Sequence, residues 1–131
     1  PRDGVWIEYT WAEVMLQARK VAGFLHQLGL KRGSHISIIS KNCAEWFITD
    51  FGIALAGMVN IPLFTNQMED SIHYVLEHAD VKLVFIGKLD DHLKVRHYIP
   101  SKYETVNLDY HDDLEVNYRW RDVLASQPLV E

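Results

Sequence analysis

Between Thr10 and Ile86 one unit runs three times: a polar capping residue with Glu three positions on, an apolar stretch at helical spacing, a Gly or Asp stop, and a short β-branched strand. The caps are Thr10 with Glu13, Asn42 with Glu45, and Asn66 with Glu69, and each pair can satisfy orphan backbone donors at a helix start. Helices alternating with short strands predict an α/β fold: a mainly parallel sheet with helices on its faces. No glycine-rich phosphate loop follows any of these strands. Gly29 and Gly33 flank Leu30, Lys31 and Arg32, which is neither a dinucleotide fingerprint nor a P-loop.

Pro1-Arg2-Asp3-Gly4 reads as a turn, and residues 5–9 alternate like a half-buried strand whose hairpin partner would precede Pro1. The first helix places Trp11, Val14, Ala18, Val21, Ala22, Leu25 and Leu28 on one stripe and stops at Gly29. A strand buried on both faces follows over residues 35–40. The second helix, over 43–56, is apolar nearly all round through Trp46, Phe47, Ile48, Phe51, Ile53, Ala54 and Leu55, so it calls for cover on several sides. Gly57 ends that helix in the left-handed region, and a strand runs from Met58 to Leu63, with Pro62 marking a strand end, an edge or a bulge. Met68, Ile72, Val75, Leu76 and Ala79 stripe the third helix, which feeds a strand over 82–86. Beyond Gly87 the pattern predicts a short helix over 90–98 stopped by Pro100, a strand over 105–108, an acidic connection over 110–117, and a last short helix carrying Trp120, Val123 and Leu124.

At 131 residues and 48% apolar the chain can build one core. A net charge of −5, with Lys and Arg scattered, argues against a nucleic-acid partner. Cys43 is the only cysteine, which rules out an intrachain disulfide and favours a reducing, cytoplasmic compartment; no cleavable leader is visible at Pro1. The stretch from Trp46 to Phe64 is interrupted by Asp50, Gly57, Asn60 and Pro62, short of the roughly 20 clean apolar residues of a membrane span.

Seven histidines raise the question of a metal, but His73 and His78, like His92 and His97, are five apart and fall on different helix faces. His35 has no acid-base partner at a recognisable spacing. Cys43 lies in the first turn of a helix, where a thiol can be activated, yet a small buried hydrophobe accounts for it as well. Asp90-Asp91 and Asp112-Asp113 read as solvated loop acids. No catalytic, cofactor-binding or metal-binding residue is assigned on these grounds. A ligand touching this sheet would lie at the carboxyl ends of its strands: Ser40-Lys41-Asn42, Leu63-Phe64-Thr65-Asn66 and Gly87-Lys88.

Two stretches carry a family resemblance. Tyr9-Thr10-Trp11-Ala12-Glu13-Val14 resembles the first core motif of the adenylate-forming (AMP-binding) enzymes, the superfamily of acyl-CoA synthetases, luciferases and nonribosomal adenylation domains. Ala56-Gly57-Met58-Val59-Asn60-Ile61-Pro62-Leu63 resembles the second. Between them, Asn42-Cys43-Ala44-Glu45-Trp46 with Asp50, continued by Pro62-Leu63-Phe64-Thr65, is similar to the long-chain fatty acid–CoA ligase branch, and Tyr118 to Ala125 resembles the helix before the phosphate loop.

The resemblance implies that residues 1–131 are a partial N-terminal (AMP-binding) domain, with 4–91 as its α/β core and 92–131 as a continuation that matches less well. It implies an intact enzyme that uses ATP, Mg2+ and CoA: a fatty acid carboxylate attacks the α-phosphate of ATP, and CoA thiol then displaces AMP. The family's phosphate loop, its adenine and ribose motifs and its C-terminal lysine lie downstream. None of those cofactors is therefore expected to be held by this piece, which should be inactive alone. Activation of another carboxylic acid, or a stand-alone α/β binding module, is the alternative. An enzyme of long acyl chains also leaves peripheral membrane association open, although no amphipathic basic helix is seen. Exposed apolar surface would favour self-association.

Overall fold

The Thr10 cap forms as the sequence predicts. Its Oγ1 accepts the Glu13 N–H at 3.1 Å, and the Glu13 carboxylate accepts the Thr10 N–H at 2.9 Å. These bonds from Thr10 hold the Glu13 carboxyl below its ordinary pKa. The computed structural model describes residues 8–130, so most of the strand expected over 5–9 lies outside the described residues, and Glu8 and Tyr9 are irregular. From the cap runs α1 (Trp11–Gln27), which buries Ala18, Val21, Ala22, Phe24 and Leu25 and is terminated by Gly29 at φ +81°.

The order that follows is β1 (His35–Ile39), α2 (Ala44–Leu55), β2 (Val59–Asn60), α3 (Glu69–His78), β3 (Val81–Ile86), α4 (His92–Tyr98), β4 (Glu104–Asn107), β5 (Tyr118–Arg119) and α5 (Trp120–Leu124). All the strands pair in parallel, in the order β2-β1-β3-β4-β5. A parallel sheet needs cover on both faces. One face projects Ile36, Ile38, Leu83, Phe85, Val106 and Leu108 into a core closed by α1, α2 and α5. The other projects Ile39, Val84 and Ile86 against Ile72 and Leu76 of α3 and Val95 of α4.

Two expected caps do not form. The residue before α2 is Cys43 and that before α3 is Met68, and neither makes a side-chain capping bond. Glu45 is instead turned inward, where two tyrosine hydroxyls bind its carboxylate. Glu69 is the first residue of α3, too early to reach back to Asn66, and Gln67 shapes the preceding loop by accepting the Phe64 N–H at 2.7 Å.

The strand expected over 58–63 shrinks to a two-residue ladder plus a bridge from Leu63 to Ile39. Val59, Ile61 and Leu63 donate to Ser34, Ile36 and Ile38 at 2.9, 2.7 and 2.9 Å. Pro62 therefore falls on the alternate position, where no bond to β1 is lost, and β2 is an edge among the described residues. β5, which the sequence does not announce, is set beside β4 by Asn117: its N–H donates to the Thr105 carbonyl at 3.1 Å and its Oδ1 accepts the Thr105 N–H at 2.9 Å.

α2 is covered on one side only. Ile48, Thr49, Gly52 and Ile53 are buried, while Phe47 is 57% exposed. Its crossing with α1 depends on Gly52, where a Cβ would lie 2.5 Å from Val21 Cβ and 2.7 Å from the Ala18 carbonyl oxygen. Gly52→Ala should therefore lower stability by about 1–3 kcal/mol through overpacking, read as a shifted denaturant midpoint. An unchanged midpoint would contradict this packing.

Candidate functional site

In this strand order the connections leaving β1 and β3 diverge, one to α2 on the first face of the sheet and the other to α4 on the second. In open α/β sheets such a divergence opens a crevice outside the carboxyl ends of the strands, and ligands bind there. Here the chain's own groups bond across the strand ends. Ser40, 8% exposed, accepts the Lys88 N–H on its Oγ at 2.8 Å and donates that hydroxyl to the Lys41 carbonyl at 2.7 Å. The Lys41 N–H donates to the Lys88 carbonyl at 2.8 Å, and the Gly87 N–H to that of Ile39 at 3.0 Å.

Gly87 allows this closeness, because a Cβ there would lie 2.3 Å from Ser40 Oγ. Above the seam the Lys41 ammonium pairs with the Asp90 carboxylate. The backbone donors of Lys41 and Lys88, which an anion would need, are already bonded. Cys43 is the residue before α2, half-buried, with its Sγ 3.7 Å from the same Ser40 hydroxyl.

The start of α2 is equally committed. Glu45 is 1% exposed and accepts hydrogen bonds from the hydroxyls of Tyr9 and Tyr110, the latter at 2.7 Å. One carboxylate thus joins the segment before α1, the first turn of α2 and the loop after β4. Sequence reasoning placed Glu45 in a cap and missed this role. The available signal was a carboxylate on a helix otherwise apolar nearly all round, which must be paired once buried.

The histidines divide among structural tasks. His35 donates Nδ1–H to the Ala79 carbonyl at 2.6 Å, satisfying the end of α3. His73 donates to the Tyr98 carbonyl at 2.7 Å, whereas His78 stacks on Tyr74. His92 stacks on His111 and bonds Asp113, a grouping from two separate segments that spacing within one helix could not disclose. Asp90 and Asp113 therefore have partners, against the expectation of purely solvated acids. Burial and the adjacent Glu77 carboxylate push the Tyr103 hydroxyl up to about 12, where it clasps α3 to the start of β4.

Among the described residues no three His, Cys, Asp or Glu side chains gather to hold a metal ion. Two grooves among the described residues lie away from this seam: one of about 630 Å³ beside Leu93, Arg96, His97 and Glu115, and one of about 270 Å³ at the amino ends of the strands beside Arg32, His35 and Lys82. No helix among the described residues is long and apolar enough to cross a membrane.

A closed switch point, with a left-handed Gly57 ending α2 at φ +77° and a capped α1, gives a scaffold whose sequence can be set against known proteins. The model of the AMP-binding enzyme family matches residues 2–126. The chain belongs to the AMP-binding enzyme family. Among its relatives, the long-chain-fatty-acid–CoA ligase FadD15 of Mycobacterium bovis is 33% identical over 90 residues, covering 69% of this chain and 15% of the relative.

Two solved structures carry the fold. A Rhodopseudomonas palustris protein provisionally described as a long-chain-fatty-acid CoA ligase superposes with a TM-score of 0.80 at 20% identity, over 95% of this chain and 32% of that one. The anthranilate CoA ligase AuaEII, solved with anthranoyl-AMP, gives 0.79 at 21% identity, over 95% and 24%. The parallel sheet and its helices match the N-terminal domain of these ligases. The chain spans about 15% of the length of the mycobacterial relative.

Ser40→Ala strands the Lys88 N–H in the closed crevice and should cost about 1–3 kcal/mol in equilibrium denaturation. A variant as stable as the parent would show that this bond does not hold the strand ends together.

Proposed function

We propose that this chain is the scaffold at the front of an AMP-forming ligase that activates a long-chain fatty acid with ATP and transfers the acyl group to CoA. In that reaction the carboxylate attacks the α-phosphate of ATP, pyrophosphate leaves, and CoA thiol then displaces AMP from the acyl-adenylate. Family membership supports the chemistry, and the fatty acid reading leans on the relative named for that substrate. The observation that carries the scaffold reading is the seam at Ser40, Gly87 and Lys88, which occupies the place where an open α/β sheet takes its ligand.

ATP, Mg2+ and CoA belong to this proposal for the intact enzyme. The described residues do not fit them: the Ser40 hydroxyl and the N–H groups of Lys41 and Lys88 at the switch point are bonded within the chain, the Glu45 side-chain oxygens accept from two tyrosines, and no three His, Cys, Asp or Glu side chains gather at a cation position. The part these residues play is to fix the sheet. Phe47 at 57%, Phe64 at 74% and Met68 at 71% exposure support a scaffold that packs against further protein rather than a stand-alone binding module.

A second acid class has one observation in its favour, since a structure nearly as similar in fold is an anthranilate CoA ligase. Carboxylate-dependent ATP–pyrophosphate exchange by the intact gene product separates the readings. Exchange with palmitate-like acids is expected. Exchange with aryl acids alone would move the substrate to that class, and absence of exchange with every carboxylate tried would withdraw the ligase assignment.

A further inference from the structure

The loop between β4 and β5 is held by a pair of histidines that the scaffold reading leaves unused. Asp109 opens the loop at φ +71°, with its N–H on the Asn107 side chain at 2.9 Å, and the Asn107 amide donates to the His111 carbonyl at 2.8 Å. This turn aims the His111 ring at the connection after β3, where Nε2 accepts the Leu89 N–H at 3.2 Å. A ring nitrogen that accepts carries no proton, so the bond requires neutral imidazole. The His92 ring lies face to face with it, centroids 3.9 Å apart and planes within 2°. His92 Nε2 is in turn 2.7 Å from Asp113 Oδ1.

The groups facing His111 can be taken element by element. From α4 comes the His92 ring; from residues 87–91, the Leu89 N–H and the Gly87 carbonyl; from its own loop, Asp113, a carboxylate engaged by His92 and 62% exposed. Protonating His111 on Nε2 removes the acceptor for Leu89. It also sets positive charge against His92 at stacking distance, with the carboxylate on the far partner. Asp113 is held below its ordinary pKa mainly by its bond from His92, so it stays ionised while His111 titrates.

We propose that His92 and His111 form an acid-released latch that holds loop 109–117 against residues 87–91, at the carboxyl ends of β3 and β4. The direction follows from the proton count. Burial, with His92 second, holds the His111 pKa below its ordinary value, so the latched state binds fewer protons than the open one. The latch is then at full strength above about pH 6.5 and weakens as the pH falls through that value toward the latched pKa. Release reaches further than the loop, because Tyr110, the residue before His111, is one of the two tyrosines holding Glu45 at the start of α2.

Hydrogen–deuterium exchange of the intact protein at about pH 7.5 and about pH 5.5, corrected for intrinsic exchange, reads the latch through peptides covering 87–91 and 108–114. Protection there should fall on acidification, by at most about tenfold for a single imidazole that titrates near pH 6.5 when released, while a peptide over 35–39 keeps its protection. His111→Gln, whose Oε1 can accept from Leu89 and has no proton to gain, should show no such fall. Equal wild-type protection at the two pH values would overturn the proposal without any variant, and a fall in His111→Gln as large as in the parent would overturn the role of His111.

Discussion

The pairing of β1 with β3 at the centre of the sheet governs everything around it. Both strands are buried on both faces, so their backbone groups find partners only in the neighbouring strands, and one register error would turn every side chain to the wrong core. The ladder runs from His35 with Val81 to Ile39 with Ile86, with a shift after the first pair. That register sends Ile36, Ile38 and Phe85 toward α1 and α2, and Ile39, Val84 and Ile86 toward α3 and α4. It also brings Ser40 level with Gly87 and Lys88, where the two chains leave the sheet.

At that exit the two strand ends are bonded to each other. A doubly wound parallel sheet offers an anion two things at its switch point, a crevice and free N–H groups. Ser40 removes both by placing a hydroxyl between the connections and bonding the donor of Lys88, and the missing side chain at Gly87 makes room for it. Glu45, in the first turn of α2, is held by the hydroxyls of Tyr9 and Tyr110. The same features leave no free backbone donor at Lys41 or Lys88. This suits a chain matching a small part of much longer ligases.

How far the sequence foretold this depended on how local each interaction is. Thr10 and Glu13 answer each other within one turn, so the pattern and the structure agree. The same pattern at Asn42 and Glu45 fails because the partners of Glu45 are Tyr9 and Tyr110, distant in sequence and decisive in energy once the carboxylate is buried. Gly57 was legible as a left-handed stop, and its φ of +77° agrees. Its further task, lying under the Arg32 guanidinium with 2.7 Å between an added Cβ and Arg32 Cζ, is a tertiary fact. β5 is two residues long and carries no periodicity, and the seam at Ser40 joins residues that no local window contains. The motifs that revealed the family are the ones that cap and stop helices, which explains why they identify a scaffold and name no chemistry.

The central claim is that the chain's own hydrogen bonds close the switch point between β1 and β3. A crystal structure of the intact protein with a non-hydrolysable acyl-adenylate analogue tests it most directly. The account predicts the Ser40 hydroxyl still bonded to the Lys88 N–H and the analogue lying elsewhere. An analogue atom within hydrogen-bonding distance of Ser40, Lys41 or Lys88, with that seam opened, would contradict it.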